Sequence, residues 1–131
     1  MLLQDKVAIV TGAASGLGKA IALEYLKEGA TVIATDINAE KLNQLQQEYS
    51  DLGWLYTVVG DVSSKDDDEA LINYVYEQFG KLDILVNNAG ISDGMFPVDE
   101  VTDELWEKMM AVDLNGPFYL CRAALQRVLA D

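Results

Sequence analysis

The sequence predicts a doubly wound α/β fold, and two observations carry the prediction. Short, β-branched stretches alternate regularly with amphipathic ones, and the short stretches are apolar almost throughout. Strands that are apolar on both sides belong to a parallel sheet covered by helices on both faces.

The elements follow in order. Lys6–Thr11 (KVAIVT) is the first predicted strand. A helix over Gly16–Glu28 places Leu17, Ala20, Ile21 and Tyr25 on one face and stops at Gly29, a residue suited to a helix C-terminus. Thr31–Thr35 (TVIAT) is the second strand, and Asn38–Tyr49 the second helix, with Leu42, Leu45 and Tyr49 facing inward. Trp54–Val59 (WLYTVV) is the third strand. The third helix, Lys65–Phe79, sets Leu71, Ile72, Val75 and Phe79 on its core face and ends before Gly80. Leu82–Val86 (LDILV) is the fourth strand. A last helical region starts at a Thr102 cap, runs through Glu104, Leu105, Met109 and Val112, and continues through Leu120, Ala124 and Val128. Pro117 lies inside it, which predicts a kink there and a free Asp113 carbonyl.

Composition narrows the function. The chain has 131 residues, half of them apolar, with a formal net charge of −13. One domain over residues 1–131 is expected, and such a strongly acidic surface disfavours nucleic acid and anionic membranes as partners. Fourteen of the carboxylates fall within residues 60–113, and the densest run, Asp66-Asp67-Asp68-Glu69, reads as the solvated first turn of the third helix, capped by Ser63 or Ser64. With no histidine and only Cys121, the usual zinc ligand sets and Ser-His or Cys-His nucleophiles are excluded within the chain, and no metal is expected. A lone cysteine makes a reducing compartment the default. The N-terminus shows no export signal, and no apolar run approaches the roughly 20 residues a membrane helix needs, so the expected address is the cytoplasm.

The chemistry is concentrated in loops that follow strands. Thr11-Gly12-Ala13-Ala14-Ser15-Gly16-Leu17-Gly18 stands between the first strand and the first helix. Glycines at this spacing let backbone N–H groups approach a pyrophosphate, which then sits on the positive end of the helix. The rival phosphate cradle, G-x-x-x-x-G-K-[ST], fails twice: Ala13 replaces its first Gly, and Ala20 its Ser or Thr. Asp36 ends the second strand, where a carboxylate binds both hydroxyls of an adenosine ribose and repels a 2′-phosphate. NAD is therefore expected over NADP, the more so because neither Ser15 nor Ile37 is basic. Asp61 follows the third strand and Asn87-Asn88-Ala89-Gly90 the fourth, at the carboxyl ends where open parallel sheets bind ligands.

TGAASGLG at 11–18, Asp36, Asp61-Val62 and NNAG at 87–90 resemble the short-chain dehydrogenase/reductase family in order and spacing. The resemblance implies a Rossmann fold and a nicotinamide cofactor. It implies that Gly12, Ser15, Gly16, Leu17 and Gly18 wrap the pyrophosphate and its ribose, and that Asp36 and Ile37 bind the adenosine ribose. By the same resemblance Asp61 and Val62 hold the adenine, and Asn88, Ala89 and Gly90 border the ribose next to the nicotinamide. Family members transfer hydride between the cofactor and a small-molecule alcohol or carbonyl substrate, and commonly form homo-oligomers through the fourth helix.

Two departures from the family pattern stand out. Val112-Asp113-Leu114-Asn115-Gly116 matches a V-N-L-x-G stretch, with Asp113 at the position of the family's catalytic Asn. The family's Ser and Tyr-x-x-x-Lys lie beyond the fourth helix, and none of the six tyrosines here has a lysine four residues on. The expectation is a cofactor-binding half, its sheet ordered 3-2-1-4 of the full 3-2-1-4-5-6, with strand four an apolar edge that leaves the piece marginal or self-associating. The alternative is a non-catalytic nucleotide-binding or interaction module that ends at Asp131.

Overall fold

β-branched side chains standing on alternate sides of four short strands give one parallel sheet whose two faces are both apolar. The computed structural model describes residues 1–130, and Asp131, the last residue of the expected domain, lies outside them. The strands are β1 (Val7–Thr11), β2 (Thr31–Asp36), β3 (Trp54–Val59) and β4 (Ile84–Val86), and the helices between them are α1 (Gly16–Lys27), α2 (Ala39–Tyr49) and α3 (Lys65–Phe79). All pairs are parallel, in the order β3-β2-β1-β4, as expected from the sequence. Val10 stands opposite Ala34 on one side and Val86 on the other.

Period-two alternation divides the core. Val10, Val32, Ala34 and Leu55 join Ala22, Leu26, Leu42 and Leu45 under α1 and α2. Val7, Ile9 and Ile33 join Leu71, Ile72 and Val75 of α3, with Leu120 and Ala124, on the opposite face. Those last two belong to α5 (Gly116–Ala130), which continues α4 (Asp103–Met110). No helix among the described residues is long and apolar enough to cross a membrane.

Several expectations need correction. The fully buried residues of α1 are Gly18, Ala22 and Leu26; of the face expected, Ile21 and Tyr25 pack against the core, whereas Leu17 is 69% exposed and Ala20 is exposed too. Only a glycine fits at position 18, where the helix approaches the Gly12 carbonyl. Asn38 is the cap of α2, with its side chain accepting from the Lys41 N–H. Leu82 and Asp83 precede β4, because the Asp83 carboxylate takes the Val7 N–H at 2.9 Å in place of a ladder bond.

The run at 66–69 is not simply solvated, since Asp68 is 2% exposed. It lies three and four residues before Leu71 and Ile72, on the same core-facing side of α3. The irregularity expected at Pro117 is taken up one turn earlier. A π turn over Ala111–Asn115, in which the Gly116 N–H reaches the Ala111 carbonyl, joins α4 to α5. The helical ladder shifts by one residue just before the proline that has no N–H to give.

Candidate functional site

The carboxyl ends of the four strands converge on one side of the sheet, and the hydroxyl of Thr11 fastens two of them. Thr11 is 1% exposed at the end of β1. Its Oγ1 donates to the Val86 carbonyl at 3.4 Å and accepts the N–H groups of Asn88 and Ala89, each at 3.0 Å. The Asn88 side-chain amide donates to the carbonyls of Thr11 at 3.1 Å and Gly12 at 3.3 Å. The loop after β4 is thus locked to the glycine-rich loop. A Cβ on residue 18 would collide with the Gly12 carbonyl and with Asn88 Nδ2, which is why the third residue of the helix is glycine. Asn87 reaches elsewhere, its amide donating to Cys121 Sγ on α5 at 3.4 Å.

At the mouth of the glycine loop, Gly16 has φ +58°, and a Cβ there would meet nothing within 4 Å. The N-terminus of α1 opens onto this space. Asn38, Ser64 and Thr102 each cap their helices by side-chain hydrogen bonds, and each of those helices carries acidic residues in its first turn. Ser15 makes no such bond, and α1 has no acidic residue in its first turn. Its N–H groups and positive dipole end are left for an anion.

Asp36 faces the glycine loop from the end of β2. Its Oδ2 accepts the Ala14 N–H at 3.1 Å and its Oδ1 the Asn38 N–H at 3.0 Å. Each carboxylate oxygen keeps a lone pair beyond these bonds. Asp61 is held similarly: its Oδ1 accepts from the Ser63 N–H at 2.9 Å and the Ser63 hydroxyl at 2.6 Å, and its own N–H donates to Asp67 Oδ2.

A cleft of about 440 Å³ brings together nine of the twelve residues expected to meet a cofactor, namely Gly12, Ser15, Asp36, Ile37, Asp61, Val62, Asn88, Ala89 and Gly90. Gly16, Leu17 and Gly18 do not line it. Gly18 stands behind the loop, while Leu17 is exposed on α1. Sequence reasoning missed Gly60, Ser63, Lys108, Ala111 and Val112, which with Ile91 complete the wall. Lys108 and its neighbours three and four residues on share one side of their helix, a spacing that could have revealed them.

Asp113 does not line the cleft. Its Oδ1 accepts the Ile91 N–H at 2.8 Å, pinning the loop after Gly90 to the π turn. Asp68, below the cleft, has Oδ2 fully shielded and without a hydrogen-bond partner. Burial, with Asp67 and Asp61 adding like charge, pushes its carboxyl up to about 7 from the ordinary 3.8.

Known proteins match this arrangement of loops. A family model described as short chain dehydrogenase matches residues 6–131. 3beta-hydroxysteroid dehydrogenase 2 of Eggerthella lenta is 42% identical over 126 residues, which cover 95% of this chain and 48% of that protein. A crystal structure of NAD+-bound xylitol dehydrogenase superposes with a TM-score of 0.93 at 27% identity, covering 99% of this chain and 50% of that one. A metagenomic short-chain oxidoreductase in complex with NADP superposes with a TM-score of 0.92 at 34% identity, over 99% of this chain and 59% of the other. The chain spans about half the length of the first two.

Proposed function

The chain belongs to the short-chain dehydrogenase family, and on that premise we propose that it is a single nucleotide-binding domain of an oxidoreductase that moves hydride between NAD and an alcohol or carbonyl substrate. The observation that carries this reading is the bare N-terminus of α1, opening beside Asp36 onto the cleft. A dinucleotide pyrophosphate supplies the acceptors that the other helices find in their own side chains.

The residues present fit such a cofactor. The N–H groups of the first turn of α1 receive the pyrophosphate, with Gly16 leaving room for it and Leu17 flanking it. Asp36 takes the hydroxyls of the adenosine ribose, and its charge disfavours a 2′-phosphate, with Ile37 beside it offering no cation. Asp61 and Val62 hold the adenine, and Asn88, Ala89 and Gly90 keep the backbone low beneath the second ribose. When bound, the nicotinamide supplies the hydride acceptor or donor. Asp113 serves as a positioning residue that fixes the Ile91 N–H, and the proton step is not assigned to it.

Exposed Trp106 on α4 and exposed Phe118 and Leu125 on α5 fit a homo-oligomer formed through this helix. The single cysteine fits a cytoplasmic address. The test is titration of the protein made from the natural gene with NADH and NADPH, followed by calorimetry. Tighter binding of NADH is expected. Tighter binding of NADPH would overturn the assignment of Asp36, and binding of neither would overturn the nucleotide reading.

A further inference from the structure

Asp68 is buried on the core-facing side of α3, and its Oδ2 has no hydrogen-bond partner. Beside it lies a small cavity of about 10 Å³, room for about one water, lined by Thr35, Gly60, Asp61, Val62, Asp67 and Asp68 among others. Gly60, Asp61 and Val62 also line the nucleotide cleft, so one stretch of backbone separates the buried carboxyl from the candidate adenosine pocket.

The charges around Asp68 all have one sign. Asp67 of its own helix and Asp61 of the intervening loop are acidic. From β2 the cavity receives Thr35, and from β3 Val58 and Val59, none of them charged. The Asp36 carboxylate, at the end of β2, is directed to Ala14 and Asn38. On the far side of the loop, Gly116 of α5 packs against Val62. Lys65, on α3, lies 3.9 Å from Glu69 with both side chains largely in solvent. No lysine or arginine lines the cavity.

An ionised carboxylate in such a place has no cation beside it and no donor for its Oδ2, whereas the acid form turns the orphan acceptor into a donor toward the cavity. The loop above is held by its own acidic cluster. The Asp61 N–H donates to Asp67 Oδ2, the Ser64 N–H to the Asp61 carbonyl, and the Asp68 N–H to the Ser64 carbonyl. A new charge at Asp68 repels both carboxylates of this clamp and draws water beneath it.

We propose that Asp68 is a proton-linked control point for the cleft: with its proton the loop at 60–64 is clamped for the nucleotide, and loss of the proton releases the clamp and weakens binding. This rests on the nucleotide reading of the cleft. A folded value near 7, above the ordinary 3.8, means that the folded chain binds the extra proton between those limits. Stability therefore falls as pH rises from about 4 to about 7 and levels off above.

The experiment measures the NADH dissociation constant and the urea midpoint of the full-length protein between about pH 6 and pH 8.5, for the natural protein, Asp68→Asn and Asp68→Leu. Leu is the second variant in case the amide destabilises the fold. In the natural protein the dissociation constant is expected to rise about fivefold or more across this range, and the midpoint to fall from about pH 6 to a little above pH 7 and then level off. Both variants are expected to hold a constant affinity. A flat profile in the natural protein, or the same rise in the variants, overturns the inference while leaving the nucleotide reading in place. No NADH binding at any pH overturns the nucleotide reading and this inference with it.

Discussion

Asp36 Oδ2 accepts the Ala14 N–H at 3.1 Å, so the residue that faces the candidate ribose pocket also braces the glycine-rich loop. Both roles depend on the carboxylate. Asp36→Ala is expected to weaken NADH binding about tenfold or more and to narrow the gap between NADH and NADPH. It should also cost about 1–3 kcal/mol of stability, through the lost acceptor for Ala14 and Asn38. Calorimetric titration with each nucleotide and urea denaturation separate the two effects.

Thr11→Val keeps the shape of the side chain and removes its oxygen. The N–H groups of Asn88 and Ala89 then lose their acceptor. A loss of about 1–3 kcal/mol for each orphaned donor is expected, read from the urea midpoint. Thr11→Ser, which restores the oxygen, should recover most of it.

Gly16→Ala tests the open mouth of the loop. At φ +58° an alanine is strained by about 1–2 kcal/mol, with no neighbour for its methyl group to strike. In the absence of ligand only that strain appears in the denaturation midpoint. The NADH dissociation constant should rise by more than the stability loss accounts for, since the methyl group enters the space assigned to the pyrophosphate.

Asp83 governs the acid limb of stability. Burial works against its charge, but the Val7 N–H and the ammonium of Lys81 outweigh it and hold the carboxyl below the usual 3.8. A group depressed on folding stabilises above its unfolded value, and the gain is lost as pH falls through the folded one. Asp83→Asn is therefore expected to unfold more readily at neutral pH and to converge with the natural protein below about pH 4, a comparison made by thermal melts across that range.

Much of this architecture was legible in the sequence because strand periodicity and glycine punctuation are local signals. Each predicted strand lies within two residues of its observed limits, and the sheet order matches. On the inward face of α1, Ile21 and Tyr25 were read correctly and Leu17 was not, since hydrophobicity favoured it while the close approach at Gly18 is a tertiary fact. Asp68 was taken with its acidic neighbours, although its spacing from Leu71 and Val75 placed it on the core side. Pro117 signalled an irregular helix without saying where the ladder would adjust, which depends on the register of the whole segment. At the candidate site, Asp36 and the glycine loop were readable from their order along the chain. Lys108, Ala111 and Val112 were not, because they reach the cleft from a helical segment distant in sequence from the loops that follow the strands.

The bonds from Thr11 and Asn88 also bear on motion. With one hydroxyl and one amide gripping both loops, the segments after β1 and after β4 have no hinge between them and travel as a single body with the sheet. Any widening of the cleft has to come from its other walls, at the loop of residues 60–63 and at Lys108, Ala111 and Val112. The second of these walls includes the π turn, where the helical ladder has already shifted by one residue.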